Sequence, residues 1–179
     1  MKILLCGDIN SGKSTLIEKI IRLQGIKPRG YITVRMPEND EGRALVYLYD
    51  ISNPPEKISD AAVIMEIAGD EIIRRPKLMD TLAAGYLENI PEGSWVVLDE
   101  IGTLESAAPV FQEAVMRILA GNYNVLASVK AQNTEFLRRV RSHPDCELYI
   151  ITPDNRDALF NQLADEYNLG GNGDKMTKG

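Results

Sequence analysis

Gly7-Asp8-Ile9-Asn10-Ser11-Gly12-Lys13-Ser14 is the stretch that decides how the rest of the chain is read. It fits the pattern of Gly, four residues, then Gly-Lys-Ser or Thr. Glycine at both ends lets the backbone take conformations closed to other residues and approach an anion closely. The N–H groups of Gly7, Asp8, Ile9, Asn10, Ser11 and Gly12 are expected to point inward at the α- and β-phosphates of a nucleotide. Lys13 would reach the β/γ oxygens, and Ser14 would offer its hydroxyl to Mg²⁺. A helix beginning near Lys13 adds the positive end of its dipole.

Such a loop needs a strand before it and a helix after it. Ile3 to Cys6 is a short apolar run, as expected of a strand buried on both faces. Leu16, Ile17, Ile20, Ile21 and Leu23 recur at helical spacing, and Gly25 is a stop signal. Both flanks therefore agree with the motif.

Further along, Tyr31–Met36 and Ala44–Tyr49 alternate in polarity around a polar turn and predict an antiparallel hairpin. Asn53-Pro54-Pro55 interrupts the chain. Ala61 to Ile67 reads as another strand, and Glu71 to Arg75 as a short extension. Pro76 opens a helix with an apolar face of Leu78, Leu82, Ala83, Tyr86 and Leu87. Ser94–Glu100 is a second buried strand. Ala108–Leu119 is a helix with Val110, Phe111, Ala114, Val115, Ile118 and Leu119 turned inward. Asn124–Val129 and Glu147–Ile151 are further strands, and helices are expected at Thr134–Arg141 and after Thr152-Pro153-Asp154-Asn155-Arg156. Apolar strands alternating with amphipathic helices predict an α/β, three-layer sandwich with a mostly parallel central sheet. A ligand in such a sheet lies beyond the carboxyl ends of the strands.

The 179 residues fit one domain, placed at 1–168, with a polar tail at 169–179 expected to be flexible. A hydrophobic content of 44% suffices for a core without metal or disulfides. The net charge of −6 argues against a broad nucleic-acid surface. Cys6 and Cys146 are the only cysteines and lie in or beside apolar runs, which points to a reduced, cytoplasmic setting. The apolar start is only a few residues long, so no signal peptide is expected, and no run is long enough to span a bilayer. His143 is the sole histidine, which disfavours a histidine zinc site or a Ser-His-Asp triad.

Val96-Val97-Leu98-Asp99-Glu100 supplies the second half of a nucleotide site. Asp99, after an apolar run, would hold Mg²⁺ opposite Ser14, through a coordinated water. Glu100 suits a carboxylate that orients or activates water. Asp99-Glu100-Ile101-Gly102 also fits the Asp-x-x-Gly pattern of GTPases, yet the chain has no Asn-Lys-x-Asp motif to read guanine.

On these residues the chain resembles the cancer-related nucleoside-triphosphatase family (THEP type) of P-loop proteins. The matching pieces are Gly7–Thr15, Gly30–Arg35, Leu98–Gly102 with Glu105 nearby, Val125–Val129 and Ile151–Asp157, spread over roughly residues 1–165. The chain departs from the family pattern at Ile9 and Asn10, where a Pro-Gly pair is usual, and at Thr103 and Leu104, where Lys and Met are frequent. The resemblance implies a RecA-like or nucleotide-kinase-like P-loop domain. It also implies slow hydrolysis of several nucleoside triphosphates (NTPs) with Mg²⁺ and modest base selectivity, and it adds Thr15 to the nucleotide-binding loop.

Three further residues are candidates. Arg35 could approach the γ-phosphate as an internal arginine finger, or be a plain exposed strand residue. Asn155 and Arg156 could meet the base or ribose, or serve only the start of the last helix. Arg138, Arg139 and Arg141 form a basic cluster that reads best as a solvated face. The expected activity is Mg²⁺-dependent conversion of NTP to NDP and phosphate, with Lys13 and Glu100 as the catalytic pair. The alternatives are a nucleotide or small-molecule kinase, with a lid near Arg74-Arg75, and an NTP-dependent binding or assembly module.

Overall fold

Five strands run parallel, and the three central ones are buried on both faces, whereas the edge strand at residues 147–150 is largely exposed. The computed structural model describes residues 1–57, 59–102 and 107–170. The parallel strands are β1 (Lys2–Cys6), β2 (Arg29–Arg35), β6 (Trp95–Ile101), β7 (Asn124–Val129) and β8 (Glu147–Ile150). They stand in the order β2-β6-β7-β1-β8. Three more strands, β3 (Arg43–Asp50), β4 (Val63–Ala68) and β5 (Glu71–Arg74), extend the sheet beyond β2 by antiparallel pairing. The expected hairpin is β2–β3, and residues 61–75 complete the extension as β4 and β5.

The helices form the two outer layers. They are α1 (Lys13–Gln24), α2 (residues 76–86), α3 (Pro109–Ala120), α4 (Glu135–Arg141) and α5 (Arg156–Glu166). Leu4, Val96, Leu98, Val125 and Ala127 face one layer, where Phe111 of α3 and Phe136 of α4 pack. Ile3, Leu5, Val97 and Leu126 face the other, where Leu16, Ile17 and Ile20 of α1 meet Leu159 and Leu163 of α5. Successive strand residues thus serve opposite cores, which is why the strands read as unbroken apolar runs. The Phe111 ring anchors the first core, edge-on to Tyr31 at 5.6 Å and to Phe136 at 6.5 Å.

Two expectations change. Val110 is 53% exposed rather than inward. At 100° per residue it lies roughly 100° from the centre of the stripe made by Phe111, Ala114, Val115, Ile118 and Leu119. The helix α2 begins at Pro76, as expected, but passes from Pro76–Leu78 through a π-helical stretch, Met79–Ala83, into Ala84–Tyr86. Met79, which falls within the α-period of the expected face though the expectation omits it, is buried, and so is Ala84, which lies off that period and is reached after the wider turn. Asp80 Oδ1 in this stretch accepts the Phe111 N–H at 3.0 Å, satisfying a free donor at the start of α3. The expectations for Thr103, Leu104, Glu105 and residues 171–179 lie outside the described residues.

Gly30 marks the junction between the parallel and antiparallel halves. Its φ is +101°, and an added Cβ would stand 2.2 Å from the Val97 carbonyl oxygen. Gly30→Ala should therefore destabilise the fold by ~2 kcal/mol or more, from left-handed strain together with the backbone clash. Urea unfolding should show a lower midpoint with an unchanged slope. An unchanged midpoint would mean that β2 shifts freely against β6.

Candidate active site

The loop from Gly7 to Gly12 leaves β1 at the carboxyl end of the sheet and enters α1 directly. Two local conformations form the bend: Asn10 with φ 63° and Gly12 with φ 96°. Space dictates the glycines as well. A Cβ at Gly7 would stand 2.3 Å from the Ile151 carbonyl oxygen, and one at Gly12 would stand 2.5 Å from Arg156 Cδ. The Arg156 side chain thus lies over the loop. Asp8, Ile9, Asn10, Ser14 and Thr15 are exposed, whereas Ser11 and Lys13 are buried. The Ser11 hydroxyl is buried without a hydrogen-bond partner among the described residues.

Lys13 is only 6% exposed and folds back over the loop. Its Nζ donates to the Gly7 oxygen at 3.0 Å and the Asp8 oxygen at 2.8 Å, and lies 3.5 Å from Glu100 Oε1. Glu100 Oε2 in turn lies 3.3 Å from Lys130 Nζ. Lys130 follows β7, and its carbonyl accepts from Arg141 Nη1 at 2.8 Å. Arg141, which reads from sequence as part of a solvated cluster, is thereby a brace for the end of β7.

Asp99 is the most enclosed acid of the site, at 5% exposure. Its Oδ1 accepts from Ser14 Oγ at 3.1 Å and, by a short bond, from Ser128 Oγ. Burial pushes the Asp99 carboxyl above the usual range, and the two hydroxyls and the Lys13 charge counter it in part. Ser128 carries no role in the sequence reading. Its one signal was a hydroxyl inside the apolar run Val125-Leu126-Ala127-Ser128-Val129, since a buried polar group needs a partner.

Lys13, Ser14, Asp99, Glu100 and Lys130 share a cleft of ≈ 610 Å³ with Arg35 and Arg156. Asn155 is elsewhere and occupied. Its Oδ1 accepts the Thr152 N–H at 2.8 Å, its Nδ2 donates to the Ile150 oxygen at 3.0 Å, and its N–H meets Thr152 Oγ1 at 3.2 Å. Its side chain holds the turn between β8 and α5. Arg74, near which the kinase alternative would have a lid, sits on β5 of the sheet and lines the cleft. Arg75 leaves the cleft to bind the Val63 oxygen at 3.0 Å and Glu66 at 3.7 Å. Among the described residues no helix is long and apolar enough to cross a membrane.

A raised Asp99 pKa has a sign. Between the unfolded and folded pKa values the folded protein keeps a proton that the unfolded chain has lost, so stability falls as pH rises through that window. Asp99→Asn removes the titration while leaving an oxygen for both serines. Above the window the ligand-free variant should melt higher than the parent, by ~2–4 °C for each kcal/mol gained. The gain should shrink as pH falls through that window and be absent below the ordinary carboxylate range. Melting curves at several pH values check this, and a variant that melts lower at neutral pH overturns it.

Known proteins share this fold and this layout along the chain. The crystal structure of THEP1 from Aquifex aeolicus superposes with a TM-score of 0.71 over 93% of this chain and 98% of that one, at 22% identity, a likeness of fold alone. Nucleoside-triphosphatase THEP1 of Thermofilum pendens is 30% identical over 172 residues, covering 91% of this chain and 93% of the relative. The protein of the same name from Natranaerobius thermophilus is 26% identical over 170 residues, covering 90% and 93%. A family model described as NTPase matches residues 2–164. A match of that extent, on a chain whose loop, buried acid and strand order form one cleft, has one reading: the chain belongs to the NTPase family.

Proposed function

We propose that the protein hydrolyses nucleoside triphosphates to the diphosphate and phosphate, in the cleft between the Gly7–Ser14 loop and the acids of β6. The observation that carries this reading is the position of Lys13. Its ammonium is buried against two loop carbonyls and Glu100, where a phosphate oxygen would replace those partners. The family match and the relatives' printed names support the same activity.

Each residue then has a task. The loop amides and the partnerless Ser11 hydroxyl receive phosphate oxygens. Lys13 moves from Glu100 to the β/γ oxygens. Ser14 and Asp99 would hold Mg²⁺: they offer one hydroxyl and one carboxylate oxygen 3.1 Å apart, leaving other positions to water and phosphate. Among the described residues no group of three or more His, Cys, Asp or Glu side chains could hold an ion unaided, which agrees with a site completed by the nucleotide. Bound Mg²⁺ would supply charge neutralisation across the β- and γ-phosphates. Ser128 keeps the Asp99 carboxylate oriented. Glu100 orients a water whose oxygen attacks the γ-phosphorus. The bond from that phosphorus to the β-bridging oxygen breaks, and Glu100 takes the proton.

Arg35 and Arg156 both line the cleft; Arg35 would approach the γ-phosphate, and Arg156 would stack its guanidinium on a base. Stacking accepts any base, which suits broad NTP use without an Asn-Lys-x-Asp motif. The unpaired cysteines, Cys6 buried and Cys146 half-buried, suit a reduced cytoplasmic setting. Burial raises both thiols, Cys146 to about 11, so neither is activated.

Phosphate release with Mg²⁺ and each of ATP, GTP, CTP and UTP tests the proposal. Lys13→Ala should abolish NTP binding. Glu100→Gln should keep binding but lower turnover at least ~100-fold, the scale of a lost general base. Normal turnover in Glu100→Gln would remove that residue from the mechanism, and no release by the parent protein from any NTP would overturn the activity itself.

A further inference from the structure

The cleft does not end at the acids of β6. It continues across the antiparallel extension, where the pairing register builds a second surface. Arg35 of β2 is paired with Val46 of β3, Val46 with Met65 of β4, and Met65 with Arg74 of β5. Residues directly opposite on neighbouring strands share a face. These four therefore form one transverse row with an arginine at each end, about 14 Å apart at ~4.8 Å per strand step. Beside this row Ile67 faces Ile72. All six line the cleft, and Ile72 is 40% exposed. The result is an apolar trough between two guanidinium groups.

Charge separates the two faces of this extension. Glu66, on the opposite face of β4, binds Arg43 at 2.9 Å and Arg75 at 3.7 Å. Arg35 and Arg74 have no carboxylate within ion-pair distance among the described residues. On the outer face of the extension the arginines are matched by Glu66, whereas Arg35 and Arg74 on its cleft face have no such partner among the described residues. The direction of a bound NTP follows from the loop. Ser14 and Lys13 meet Asp99 and Glu100 of β6, so the γ-phosphate lies on the β6 side, and β2 is the next strand. Arg156, over Gly12, lies toward β8, where the nucleoside leaves. The trough is therefore on the γ-phosphate side and is not needed for the base.

We propose that the trough is a second ligand site for an organic phosphate with a flat apolar body, the class that includes nucleoside monophosphates. The apolar floor takes the flat body, Arg74 takes the phosphate, and Arg35 bridges toward the NTP. The cleft of ≈ 610 Å³ runs without a break from the loop to the trough, so both lie within one cavity. The proposal rests on the loop being the NTP site.

The test loads the full chain with Mg²⁺ and a non-hydrolysable NTP analogue, then titrates AMP, GMP, CMP and UMP by calorimetry. At least one monophosphate should bind saturably, and its nucleoside, lacking the phosphate, at least tenfold more weakly. Arg74→Ala and Ile72→Asp should each weaken that binding at least tenfold, while NTP hydrolysis without the monophosphate stays unchanged. Ile73→Asp alters an exposed residue on the other face of the same strand and should leave binding intact. The proposal is overturned if no monophosphate binds the loaded protein, if Arg74→Ala leaves binding within twofold, or if Ile72→Asp and Ile73→Asp act alike. Failure of the analogue itself to bind would instead reject the NTP site, and the second site with it.

Discussion

The Asp99 carboxylate accepts one hydroxyl from the start of α1 and one from β7 while sitting on β6 itself. A buried acid without such partners would cost several kcal/mol, so its two serines tie three segments into one register. The phosphate loop, the strand that ends in the acids and the neighbouring strand cannot shift separately. Lys13, Glu100 and Lys130 form a second chain of contacts along the same edge, braced by Arg141 through the Lys130 carbonyl. The site is thus prepared before any ligand arrives. Burial raises the Asp99 carboxyl above its usual range, and the two serine hydroxyls oppose that shift.

The sheet has two halves with different tasks. The parallel half, β2-β6-β7-β1-β8, has its central strands β6, β7 and β1 buried on both faces and places its carboxyl ends, with the loop and the acids, at one edge. The antiparallel half, β3 to β5, needs only short connections and adds a wall to the cleft. Gly30 allows β2 to serve both halves, because its missing side chain lets the strand lie against the Val97 carbonyl. Glu66 neutralises the outer face of the wall and leaves the inner face positive.

Much of this was legible in the residues. The strand, loop and helix around Gly7–Ser14 were legible because the motif's spacing and its apolar flanks are local features of the chain. Apolar runs alternating with helical periods foretell the layered fold, because strands buried twice and helices buried once leave different patterns. Val110 was misread because an apolar residue at the edge of a stripe looks like a member of it. Asn155 read as a possible base contact, yet its side chain is used within the turn, which only the positions of Thr152 and Ile150 reveal.

What the chain alone determined, then, was the loop, the acids that end β6, and the α/β class with its strand-and-helix order. Each depends on neighbours within a few residues or on a repeating period. Tertiary structure decided the rest. Ser128 serves Asp99 because β7 lies beside β6, and a separation of 29 residues hides that partnership from any local pattern. Arg35 and Arg74 face the same cleft because three successive strand registers align them. A change of one residue in any of those registers would turn the row to the other face, since side chains alternate across a sheet.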